Sequence, residues 1–175
     1  QAELDQFQTR ISELEEQQAA RLDELNNQLA QFLTTALNEF PEAEQTRIAL
    51  EIYSEQAIRN AAEYVEKAGK YADAIDILAT AKGYYEAVGM EPYPPLVEVI
   101  AEYEDWRFVT KERFDQLKKG MTAEEVKETI GVPYFANIQV DEKAGVETWL
   151  YRHRDGGAAA TSFRLFLSAV RTTGT

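Results

Sequence analysis

Cysteine is absent and histidine occurs once, at His153. The first absence excludes a disulfide framework, a thiolate metal site and a cysteine nucleophile. The second excludes any site needing two or three histidines from one chain. Positive charge is scarce: 18 basic residues face 31 acidic ones, for a net charge of −13. Residues 1–50 hold 10 acids against 3 bases, and residues 51–120 hold 14 against 9. Such a surface repels a phosphate backbone and an anionic lipid headgroup, so neither nucleic acid nor a charged membrane surface is the expected partner. No apolar run approaches the ~20 residues of a membrane-crossing helix. Gln1 opens directly into a polar helical pattern, with no signal-peptide pattern and no initiator Met, so a processed chain or a piece of a longer one is expected.

Proline and glycine are missing from the first 40 residues. That stretch predicts one long helix over residues 1–40. Its seam runs Leu4, Phe7, Ile11, Leu14, Gln18, Leu22, Leu25, Leu29, Phe32, Ala36, in steps of three and four. Two four-residue steps meet at Gln18 and make a stutter in a heptad pattern. A helix with so narrow a seam needs a partner for it. Coiled-coil self-association through Leu4, Ile11, Leu14, Leu25, Leu29 and Phe32 is one expectation; folding back on the same chain is the other.

An apolar fraction of 45% against 28% charged residues supports a folded core for the rest. Residues 43–109 read as helical. Ala43–Ala68 and Tyr71–Val88 are two amphipathic segments split by Gly69, and Gly89 and Pro92 close the second. Pro92, Pro94 and Pro95 form a stiff connector to a further helix over Leu96–Val109. The run Tyr64-Val65-Glu66-Lys67-Ala68-Gly69-Lys70-Tyr71-Ala72-Asp73-Ala74-Ile75 resembles a tetratricopeptide-repeat hairpin, with Ala81 at its second small position. An ordinary αα-hairpin fits the same residues.

Residues 110–175 are organised differently. Thr122-Ala123-Glu124-Glu125 fits a capping box that opens a short helix, and Gly131 with Pro133 stops it. Strands are expected over Phe135–Val140, Val146–Arg152 and Thr161–Arg171, with turns at Asp141–Gly145 and Asp155–Gly157. The fold class is therefore mainly α with a C-terminal α+β domain: a long helix, helical hairpins, then α-α-β-β-β with a three-stranded antiparallel meander. One face of the sheet carries Trp149, Tyr151, Phe163 and Leu165, which are candidates for a partner surface or for burial within the chain.

Phe114-x-x-Leu117-x-x-Gly120-Met121-Thr122-x-x-Glu125-Val126, Ile130-Gly131-x-Pro133 and Trp149-Leu150-Tyr151 together resemble the SmpA/BamE-like domain of bacterial envelope lipoproteins. The resemblance implies a secreted or periplasmic protein, associated with the outer membrane, that acts by protein contact and not by catalysis. Coil plus tetratricopeptide-like helices is also similar to periplasmic envelope proteins that trimerise through the coil. Catalytic, cofactor and metal sites are expected to be absent. His153 reads as an exposed turn residue without a nucleophile, and the acids Glu15, Glu16, Glu102, Glu104 and Asp105 read as solvated helix faces. The expected function is that of an envelope interaction or scaffold protein. The alternatives are a subunit of an extracellular fibre or surface layer, and a ligand binder or enzyme with a pocket between the helical and α+β parts, lined by Tyr84, Tyr85, Tyr93, Trp106 and Tyr134.

Overall fold

The computed structural model describes residues 2–154 and 156–164. Helix α1 spans Ala2–Glu39 without interruption, as the lack of proline and glycine requires. The chain reverses at residues 40–43, where the Thr46 hydroxyl donates to the Phe40 carbonyl at 2.7 Å. Helix α2 (Glu44–Ala68) and helix α3 (Tyr71–Ala87) form an antiparallel hairpin. Gly69 ends α2 with φ +60°, and its N–H and that of Lys70 return to the Val65 and Tyr64 carbonyls at 2.8 and 3.1 Å. Helix α4 (Pro94–Trp106) begins on the two prolines, where a missing N–H costs nothing.

These helices share one core. Leu50, Ala61, Ala74, Leu78, Ala81 and Leu96 are fully enclosed. The small residues let α2 and α3 approach closely, and Tyr85 reaches across to the Ser54 hydroxyl at 3.2 Å. Helix α1 joins this core only at its C-terminal end, through Leu29, Leu33, Ala36 and Leu37.

The helix expected to reach Val109 stops at Trp106. Val109 instead buries its side chain in a second core and gives its N–H to the Arg152 carbonyl at 3.0 Å. Helix α5 is one turn, Lys111–Phe114, capped by the Thr110 hydroxyl. Helix α6 (Ala123–Ile130) carries the expected capping box: Glu125 N–H donates to Thr122 Oγ1 at 3.2 Å, and Thr122 N–H donates to the Glu125 carboxylate at 2.7 Å.

Strands β1 (Ile138–Asp141), β2 (Val146–Arg152) and β3 (Ala158–Arg164) form an antiparallel sheet in the order β1-β2-β3. The first strand starts later than expected because Phe135–Asn137 close a 3₁₀ turn after Pro133. The third starts earlier, at Ala158, because Arg152 pairs with Ala158 directly across a tight turn. Residues 165–171 of the expected third strand, and Leu165 with them, lie outside the described residues.

Val109, Val126, Ile130, Trp149 and Tyr151 form the second core, with Phe114, Leu117, Met121 and Ile138 around it. Trp149 and Tyr151 are therefore covered by α5, α6 and their flanking loops. As candidates for a partner surface they are corrected here: the alternating pattern of β2 marked an inward face, and the helices before the sheet close over it.

Candidate functional site

Two features outside these cores carry chemistry. The first is the free length of α1. Phe7, Ile11, Leu14, Leu25 and Phe32 are each 43–68% exposed. At about 100° per residue they fall within about 60° of one another on the helix. They form one apolar stripe that no other part of the described chain covers. Polar contacts along this part of the helix are local to it: Arg10 pairs with Glu13 at 3.3 Å and Gln28 with Glu24 at 3.2 Å.

The structure splits the expected seam at its C-terminal end. Leu33 is 3% exposed and Phe32 49%. Packing on α2 uses the face through Leu29, Leu33, Ala36 and Leu37, rotated from the line that runs through Leu25 and Phe32. Leu33 was missed because it breaks the heptad spacing; its signal was the adjacent pair of large apolar residues, each able to serve a different face. The placement of Leu29 is a correction as well, since it is half-buried against the helical core and shared between the two faces. Leu4 lies on α1, and Phe163 pairs with Glu147 in the sheet register.

The second feature is a cleft of about 300 Å³ where the helical and α+β parts dock. Its floor is fixed by close backbone approach. A Cβ on Gly69 would lie 2.2 Å from the Pro133 carbonyl oxygen, so only glycine allows the α2–α3 turn to touch this loop. The Tyr71 hydroxyl accepts from Val132 N–H at 3.1 Å, and the Tyr151 hydroxyl donates to the Gly131 carbonyl at 3.0 Å. Burial raises the pKa of both tyrosines, so both stay protonated at neutral pH and act as structural hydrogen-bond groups. Around them stand Trp106, Phe108, Tyr134, Leu150 and the cations Lys70, Arg107 and Arg152.

The expected lining holds only in part. Trp106 and Tyr134 border the cleft, whereas Tyr84 packs edge-on against Tyr53, Tyr85 is enclosed in the helical core, and Tyr93 stands beside Glu55. The three were placed by composition alone, and their positions on α3 and before α4 face away from the junction. Gly69, Tyr71 and Gly131, which build the junction, were legible as turn and repeat-motif residues but not as contacts between parts.

His153 is half-buried and forms an isolated bridge with Val109, which corrects its reading as an exposed turn residue. Among the described residues no group of three or more histidine, cysteine or acidic side chains is placed to hold a metal, and no helix is long and apolar enough to cross a membrane. Compared with known proteins, the chain matches no family model, no curated protein and no solved structure.

Proposed function

We propose that this chain is a non-enzymatic interaction protein that associates with other copies of itself through α1 and presents its helical and α+β body to a partner protein. The stripe of Phe7, Ile11, Leu14, Leu25 and Phe32 carries the reading. Five large apolar side chains at coiled-coil spacing are left in water on an acidic helix, and hiding them against another chain removes that cost. The resemblance of residues 114–151 to SmpA/BamE-like domains makes the bacterial cell envelope the proposed place of action.

Ile11 and Leu25 are exposed and belong to neither core, so I11D/L25D tests association without disturbing the core. Sedimentation of the full chain at tens of micromolar is expected to show an oligomer, and I11D/L25D a monomer with unchanged thermal unfolding. Leu29→Asp is a poorer probe, because Leu29 also packs on the helical core. A monomeric parent chain removes the proposal.

A second reading rests on the cleft. In a chain of net charge −13, the cleft gathers three cations beside the exposed Tyr134 and the half-buried Trp106 and Phe108, a local site for a planar anion. Lys70 stands 3.8 Å from Asp73 and Arg107 3.9 Å from Glu104, so an anion competes with these carboxylates. Calorimetric titration with an aromatic carboxylate tests it: saturable binding lost in Arg152→Gln supports this reading, and no saturable heat at millimolar concentration ends it.

A further inference from the structure

We infer that the occupant of the α1 stripe is the α1 of one second copy, antiparallel, with the two-fold axis passing beside Gln18. This rests on self-association through α1 and adds its orientation and register.

The argument begins where the exposed stripe ends. Beyond Phe32 the apolar face turns into the chain's own core through Leu33 and Ala36. The sequence seam before that turn runs from position 4 to position 32, and its exposed side chains reach from Phe7 to Phe32. Its midpoint is position 18, which is where the stutter lies and where the seam has its one polar residue. The spacing is identical read in either direction from that point: 3, 4, 3, 4 toward the C-terminus before it and 4, 3, 4, 3 after it. A two-fold pair therefore matches the discontinuity with itself. Position 4 opposes the partner's 32, 7 opposes 29, 11 opposes 25, 14 opposes 22, and 18 opposes 18. Each layer but the central one sets one kind of heptad position against the other, as antiparallel pairing requires, and the interface is isologous and closed.

Side-chain size agrees. Phe7 meets the partner's Leu29 and Phe32 the partner's Leu4, so no layer stacks one phenylalanine on another. A parallel pair would oppose Phe7 to Phe7 and Phe32 to Phe32. Gln18 meets its own copy, and two amides satisfy each other reciprocally because each has a donor and an acceptor.

Charge points the same way. The exposed acids Glu13, Glu16 and Glu24 lie off the seam; by helical spacing its borders carry the neutral Gln8, Gln17, Asn26 and Gln28 and, as their charged members, Arg10, Glu15 and Arg21. The antiparallel register places no two like charges opposite one another at these borders. It also sets the two acidic bodies at opposite ends of a contact about 42 Å long, several screening lengths apart at physiological salt. A parallel pair would bring the bodies to the same end. Its one compensation is Arg10 beside the partner's Glu15; Arg10 already holds Glu13 on its own helix, and an exposed ion pair in water contributes little. A contact of this length covers on the order of 800 Å² per partner, the size of a standard stable interface.

The absence of native cysteine makes the test clean. Full-length Ile11→Cys and Leu25→Cys chains are prepared separately, mixed and oxidised. The antiparallel register predicts a mixed I11C–L25C disulfide at least tenfold more abundant than either self-linked product. Gln8→Cys and Asn26→Cys, joined by a short bismaleimide, repeat the test with every seam residue in place and are expected to link across types in the same way. Self-linking of each variant alone, in a chain that still sediments as an oligomer, overturns the orientation and leaves self-association standing; a parallel dimer or trimer gives that result. An oligomer that links in neither set overturns the register. A parent chain that sediments as a monomer overturns this inference and the proposed function together.

Discussion

At the scale of single residues, the junction depends on two glycines and a tyrosine. Gly69 has φ +60° and sits against the Pro133 backbone; Gly131 has φ +91° and a Cβ there would lie 3.0 Å from the Tyr71 hydroxyl. Both have a positive φ that favours glycine; Gly69 has no room for a side chain against backbone, and at Gly131 the Tyr71 side chain would have to give way. Gly69→Ala is therefore expected to cost at least ~3 kcal/mol, more than strain alone, because the obstacle is backbone that cannot rotate away. Denaturant unfolding measures it; a loss below ~1 kcal/mol would show that the two parts are not held together at this point. In the sequence Gly69 was readable as a helix stop. Its contact with Pro133, 64 positions on, was not, since nothing local to either residue encodes the approach.

At the scale of elements, caps decided the short helices and packing decided α2 and α3. Helix α6 has eight residues and cannot persist on propensity. Its reciprocal Thr122–Glu125 cap satisfies two N–H groups at the start, and Val126 and Ile130 anchor it to the sheet. The Thr122 N–H bond lowers the Glu125 pKa below its ordinary 4.5, with the Thr122 hydroxyl adding to the effect. The sign follows from linkage: the folded state holds the ionised form more strongly, so this contribution is complete above pH 4.5 and fades as pH falls through the lowered folded value. Thr122→Ala is expected to lose about 1 kcal/mol at neutral pH, and Glu125→Gln, which removes the carboxylate that the Thr122 N–H holds, to flatten the acid limb of the stability profile. An acid limb unchanged from the parent would place that pH dependence elsewhere.

This capping box was legible because all its information lies within four residues. The sheet order was legible from the two turns. The bounds were not: Val109 left its helix, and Phe135 its strand, for reasons of tertiary contact. Val109 fills the second core and bonds to the end of β2, and Phe135 is held in a 3₁₀ turn behind Pro133.

At the scale of the whole molecule, the balance is between an apolar stripe and a large negative charge. Burying the stripe favours association, and the charge of −13 on each chain opposes it. Raising salt screens the second term and leaves the first nearly untouched, so self-association is expected to strengthen about tenfold or less between low and physiological ionic strength. Sedimentation across a salt series checks it, and weakening with salt would mean that ion pairs, not apolar contact, hold the copies together. An anion bound beside Lys70, Arg107 and Arg152 would respond in the opposite sense, its binding weakening as salt rises.

The sequence alone determined the helix without breaks, the stutter at Gln18, the caps at Thr122 and the glycine stops, and the antiparallel meander, because each of these is encoded over a few neighbouring residues by periodicity or backbone chemistry. It also marked one apolar seam along α1, to be covered by this chain or by another copy. Only the tertiary structure decided which apolar faces are spent inside the chain. It enclosed Trp149 and Tyr151, drew Leu33 inward and left Phe32 out, and joined Gly69 to Pro133. Burial is a property of what packs opposite a residue, and for faces of equal hydrophobicity the partner is chosen by the path of the whole chain.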